Sequence, residues 1–286
     1  MKTAVSDHLP TVPVMIPPFA PEWAEIFGED EFGAFAEFSL NGVRFIWRWV
    51  PPGRFLMGSP SKENGRFDDE GPQHWVTITK GFWLGETPVT QAQWMSLMDV
   101  NPSQFEGDER PVESVNWYQS MAFAEKLNER IPGLFASLPT EAEWEFACRA
   151  GTQSAFHVEG SKCTEPEGLD PALDRLGWFD KNSRDSTNDV KLKLPNAHSL
   201  YDMHGNVWEW CRDGMRTYGD TPERDPVGPM EEGAGRVVRG GSWDSQARGC
   251  RAAYRSHNHP GDDWGNDGFR LFAGQEPVLG AERPVP

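Results

Sequence analysis

RGGSWDSQARGCRAAYRSHNHPGDDWGNDGFR spans residues 239–270. Two stiff ends, RGGSW and GFR, bracket a polar middle with six Gly, two Trp and a single Cys but few aliphatic residues. No helical or strand period runs through it. It is a long loop, a recognition surface or an active site with one cysteine, and its surroundings must decide which.

Working outward, the half from 151 to 272 has little helical periodicity and many Gly, Asn and Asp. Upstream of it, three segments predict helices. TQAQWMSLMDV starts at Thr90 as N-cap. SVNWYQSMAFAEKLNERI places Trp117, Met121, Ala124 and Leu127 at helical spacing and ends before Pro132 and Gly133. PTEAEWEFACRAGT combines Thr140 with Glu143 in a capping box, with Trp144, Ala147 and Cys148 on the apolar face and Gly151 at the stop. VRFIWRWVPPGRFLMGSP alternates and predicts a hairpin-like pair, and HWVTITKGFWLGETPVT predicts a strand running into a helix. RFDDEGP (66–72) is an acidic turn for which Arg66 is an internal partner. Residues 1–38 are expected to form an arm, Pro-rich first and then carrying a short helix. Residues 39–273 are expected to be the domain, and 274–286 a flexible tail.

The 286 residues suffice for a large core, and 13 Trp and 17 Phe supply much of its bulk. A formal charge of -17 argues against nonspecific binding to nucleic acid or anionic membrane, which needs basic patches. The N-terminus has no apolar core of a signal peptide and no run reaches membrane-spanning length, so a cytoplasmic protein is expected. Cys148, Cys163, Cys211 and Cys250 share no CxxC spacing and are expected to be reduced packing residues.

Seven segments in order, FLMGSP, ETPVTQAQW, RPVESVNWYQSMAFAEKLN, LPTEAEWEFACRAGT, SLYDMHGNVWEWC, RVVRGGSW and GFR, together resemble the formylglycine-generating enzyme (sulfatase-modifying factor) superfamily, over roughly residues 40–273. The resemblance implies an α+β fold, a variant of the C-type-lectin fold with much irregular backbone. Its members include formylglycine-generating oxidases, iron-dependent sulfoxide synthases, siderophore-maturation enzymes and noncatalytic variable proteins of diversity-generating retroelements.

The oxidases resemble GGS-aromatic-x-Cys-x4-Cys, whose two thiolates bind copper. Here Gly240, Gly241, Ser242 and Trp243 match, the second cysteine is Cys250, and the first is replaced by Ser245. A hydroxyl is a poor ligand for Cu(I). Formylglycine formation is therefore not expected, and Cys250 is expected to pack as a small hydrophobe. Cys250 and Ser245 are the catalytic candidates only if the chain is instead a metal-dependent oxidase or oxygenase using copper or iron. An iron site from His257, His259 and Asp262 or Asp263 is conceivable but reads better as loop decoration.

In YDMHGNVWEW the resemblance implies a structural Ca²⁺ held by the side chains of Asp202 and Glu209 and the carbonyls of Gly205 and Val207. The resemblance to variable proteins also makes 244–267 a ligand-binding surface, with a protein or other ligand as partner. Its members are Asp244, Ser245, Gln246, Tyr254, His257, His259, Asp262 and Trp264, aromatics among small adaptable polar residues. Trp243, Cys250 and Phe269 are expected to be its buried frame.

Overall fold

In GAFAEFSL the small and aromatic residues Ala34, Ala36 and Phe38 alternate with polar neighbours, and this period of two makes a strand. The computed structural model describes residues 20–274. Residues 1–19 of the expected arm and 275–286 of the expected tail lie outside the described residues. Thirteen strands and three α-helices are present among the described residues. The strands are β1 Ile26–Asp30, β2 Gly33–Leu40, β3 Val43–Val50, β4 Gly53–Met57, β5 His74–Ile78, β6 Phe82–Gly85, β7 Ala136–Ser137, β8 Trp208–Gly214, β9 Glu223–Arg224, β10 Arg236–Arg239, β11 Ser256–Asn258, β12 Asp267–Gly268 and β13 Phe272–Ala273. The helices are α1 Gln91–Met95, α2 Trp117–Arg130 and α3 Glu141–Arg149.

The six-stranded sheet has the order β1-β2-β3-β6-β13-β7. Its first hairpin overturns the expectation of an arm with a short helix up to residue 38. β1 and β2 pair antiparallel in register Ile26 to Glu37, and Trp23 is buried against Phe38, Trp47 and Trp83. The acidic residues of EIFGED lie on an edge strand, where charge protects the free backbone edge. That is why the segment resembled a solvated arm.

The predicted hairpin VRFIWRWVPPGRFLM is instead two strands in two sheets. β3 pairs β2 and β6, whereas β4 pairs β5 in the three-stranded sheet β4-β5-β9. The break falls at Pro51 and Pro52, which lack the N–H a ladder needs. HWVTITKGFWLG divides the same way, into β5 and β6. Gly81 lies at this break because an added Cβ would sit 2.2 Å from the Trp49 ring.

All three helices begin as capping boxes, at Thr90 with Gln93, Asn116 with Gln119, and Thr140 with Glu143. α2 starts at Trp117 rather than at Ser114, which has positive φ. Both α2 and α3 pack apolar faces inward, but α3 also buries Glu141 and Glu145 completely. The remaining sheet, β11-β10-β8-β12, carries the C-terminal segment.

Candidate functional site

The frame of 239–270 is built from arginines. Arg239 pairs with Glu145 at 2.6 Å, and Arg255 grips Glu141 with two contacts of 2.6 Å. Arg251 holds Glu70 of the acidic turn and Glu63, and Arg270 holds Glu209 through three contacts of 2.7–3.2 Å. All four guanidiniums are buried. Such planar forks suit carboxylates at fixed geometry. The ends RGGSW and GFR are therefore clamped to α3, the acidic turn and β8. Sequence reasoning missed this network, because it read Glu141 and Glu145 only as helix residues.

Gly240 and Gly241 have φ of 97° and 76° and turn the chain away from β10. An added Cβ on Gly241 would lie 2.5 Å from Cys250 Sγ, so the cysteine is packed against bare backbone. Cys250 is fully buried, and burial, followed by the nearby charges of Asp180 and Cys163, pushes its thiol far above the ordinary range. His204, also buried, lies with Nδ1 2.7 Å from the Cys250 carbonyl, and its Nε2 accepts the His157 N–H. These contacts make Nδ1 the protonated nitrogen. Ser245 Oγ accepts the Ser242 N–H at 3.0 Å and lies 2.8 Å from Ser242 Oγ, which donates to Asp244 at 2.6 Å. This closed turn uses the Ser245 hydroxyl structurally.

Around that frame, Asp244, His257, His259 and Trp264 are exposed, and Ser245, Gln246, Tyr254 and Asp262 are partly so. Tyr254 stands between Phe67 and Trp208, at centroid distances of 5.3 and 5.7 Å. Cys250 and Phe269 are buried as frame residues, Phe269 packing on Trp94 and Phe123. Trp243 departs from the expected buried frame. It is only partly buried, with its edge to Phe105 and its indole N–H donating to Gly265 O at 3.2 Å. It steadies the loop rather than filling the core.

No group of three or more His, Cys, Asp or Glu residues is placed to hold a metal ion among the described residues. His257, His259 and Asp262 are not such a group. Asp262 accepts the His259 N–H, and His259 Nδ1 accepts the Gly261 N–H, so both side chains serve a local turn. The Asp202–Glu209 turn is divided. Glu209 spends both oxygens on Arg270 and one also on the Trp144 indole N–H. Asp202 is buried at φ 58° and accepts only neutral donors, the Lys191 N–H and the Asn206 amide. Among the described residues Asp202 therefore has no charged hydrogen-bond partner, whereas Glu209 already has its countercharge in Arg270.

A cavity of about 200 Å³ opens on the four-stranded sheet, lined by Trp208, Val238, Ser256, Asn258, Trp264, Asn266 and Asp267. Ser256 and Asn258 are two apart in β11 and share a face, opposite His257 between them. Asp267 is fully buried; its Oδ2 accepts the Asn258 amide at 2.8 Å, and its Oδ1 has no hydrogen-bond partner among the described residues. Burial, then the charges of Asp262 and Asp244, raise its carboxyl to about 7. Of these residues only Trp264 was singled out in the sequence. Asp267 was hidden as one more acid in a polar loop.

Residues 46–274 match the sulfatase-modifying factor enzyme 1-like domain. The chain belongs to this family. It is 30% identical over 285 residues to the formylglycine-generating enzyme of Streptomyces coelicolor, covering 77% of this chain and 87% of that protein. To the formylglycine-generating enzyme of Mus musculus it is 32% identical over 214 residues, covering 72% of this chain and 54% of the mouse protein. Among solved structures, variable protein 1 of Treponema denticola superposes with a TM-score of 0.72 at 31% identity, covering 84% of this chain and 99% of that one. PvdO from Pseudomonas aeruginosa does so with a TM-score of 0.69 at 24% identity, covering 88% and 98%, a likeness of fold. The family's α+β, formylglycine-generating-enzyme-type variant of the C-type-lectin fold is the fold of this chain.

Proposed function

We propose that this family member is a ligand-binding module, with its recognition surface in 244–267, and that it does not make formylglycine. One observation carries the reading: the position of the first cysteine of the pair is Ser245, whose hydroxyl is closed into a turn with Ser242, while Cys250 is buried beneath. A single buried thiol of raised pKa supplies neither the second soft ligand nor the thiolate that copper requires. Exposed Asp244, His257, His259 and Trp264 on an arginine-clamped frame suit recognition. Likeness to variable protein 1 of Treponema denticola supports a variable surface here, and a protein is the ligand proposed for it. Calcium, held through Asp202, belongs to this proposal as a structural ion.

The test is incubation of the purified protein with a sulfatase-type cysteine peptide, copper and reductant. No aldehyde is expected by mass spectrometry, and metal analysis is expected to find neither copper nor iron in stoichiometric amount. Turnover, or either metal at one per chain, would favour the oxidase reading instead. A reverse-transcriptase gene near a close copy of the DNA encoding 239–270 would establish diversification.

A further inference from the structure

Buried carboxylates in this protein are supplied with donors. Glu141, Glu145, Glu70 and Glu209 each face a buried arginine. Asp170 and Asp213 are capped by backbone N–H groups at both oxygens. Asp267 breaks the pattern. It is fully buried, and among the described residues one oxygen has only the Asn258 amide and the other has no hydrogen-bond partner. No Lys or Arg lines the cavity beside it, and the charged groups acting on it, Asp262 and Asp244, are acids. An uncompensated buried carboxylate is costly, and one that lines a cavity is placed to meet a countercharge from outside.

The walls suit one kind of countercharge. Trp208 and Val238 are apolar, and Trp264 stands at the rim with 61% of its surface exposed. Indole faces attract cations, the more strongly when water is excluded. Asn258, Asn266 and Ser256 add oxygens that accept from N–H donors. A volume of about 200 Å³ is below the range of drug-sized pockets and takes a single head group on a short stem. The net charge of -17 draws cations toward the molecule.

We propose that the cavity bounded by Trp208, Trp264 and Asp267 is a binding site for a cationic nitrogen, a guanidinium or primary ammonium on an alkyl stem, seated against Asp267 and covered by the two indoles. The inference rests on the recognition reading of this face and names the chemistry that it recognises. The same head group is carried by a protein side chain and by a free alkylguanidine or amine.

The experiment is calorimetric titration of the full chain with N-acetylarginine amide, agmatine and an arginine-containing peptide, alongside N-acetylcitrulline amide, the neutral isostere. Saturable binding of the cations is expected, with tryptophan fluorescence changing at the same midpoint, and no binding of the citrulline compound. Asp267→Asn and Trp264→Ala are each expected to weaken binding at least tenfold. Trp264 is exposed, so its variant keeps the test open should Asp267→Asn fail to fold. Equal affinity for agmatine and peptide would assign the site to a free ligand, and a tighter peptide to a protein side chain; either upholds the proposal. Absence of saturable binding, equal binding of the citrulline compound, or unchanged affinity in a folded Asp267→Asn would overturn it. Aldehyde formation in the peptide assay would remove the binding-module reading alone. No cation binding together with no aldehyde would leave a recognition surface for another chemistry.

Discussion

Where β12 meets β8, Asp267 pairs with Trp208 and the next residue, Gly268, pairs with Glu209, yet the two neighbouring acids have opposite fates. Glu209 has Arg270, while Asp267 has no cationic partner among the described residues and is raised to about 7. Its unfolded value lies near ~3.9. Between those values folding takes up a proton, so the folded state loses stability as pH rises through that window and the whole loss is present above it. Asp267→Asn keeps the partner Asn258 and removes the charge. It is expected to raise stability by about 1–3 kcal/mol at pH 8, the scale of an unsatisfied buried group, with the difference vanishing near pH 4. Urea denaturation of both proteins at the two pH values checks this. A variant that is less stable at pH 8 would show that the carboxylate is satisfied in the folded protein. A gain in stability with a loss of cation binding is the trade expected of a site strained for function.

At the scale of elements, α3 connects the core to the C-terminal segment. Its apolar face, Trp144, Ala147 and Cys148, was legible from helical spacing, and its capping box from Thr140 and Glu143. Its buried acids were not, because a glutamate in a helix is ordinarily a solvated one. Glu145 accepts from the Gly58 N–H, Arg149 and Arg239 at 2.6–2.9 Å. Glu145→Gln leaves two buried guanidiniums short of a countercharge and is expected to cost roughly 3–5 kcal/mol. Glu125→Gln, on an exposed position of α2, is expected to stay within about 0.5 kcal/mol. Equal midpoints in denaturant for the two variants would remove the arginine clamp from the account. The hairpin β1–β2 is the contrasting case. Its alternation was present in GAFAEFSL, but Pro-rich and acidic surroundings masked it until the buried ring of Trp23 tied it to the sheet.

For the molecule as a whole, calcium would act by linkage, stabilising whatever state binds it. With Asp202 as the charged ligand, chelation is expected to lower the melting temperature by on the order of 5–10 °C from a hundredfold excess over Kd. Asp202→Asn is expected to melt alike with and without chelator. If the native protein also melts alike, Arg270 is the only countercharge of the turn and the ion is absent. The effect reaches beyond the turn, because Arg270 joins β8 of the four-stranded sheet to Gly85 of β6 in the six-stranded one and to Tyr201.

The sequence by itself determined the family, through seven short motifs in one order, and with it the α+β lectin-type fold. It also determined the loss of the cysteine pair, since Ser245 is a matter of one atom's chemistry. Local signals sufficed there because capping, glycine turns and side-chain identity act within a few residues. Only the tertiary structure decided which acids meet an arginine and which do not. Arg251 and Glu70 are 181 residues apart, and Arg270 and Glu209 are 61 apart. It also joined Trp208, Asn258 and Asp267, from three different strands, around one cavity. A charge is solvated, paired or stranded according to what the fold packs around it, and that partner is not encoded beside it in the chain.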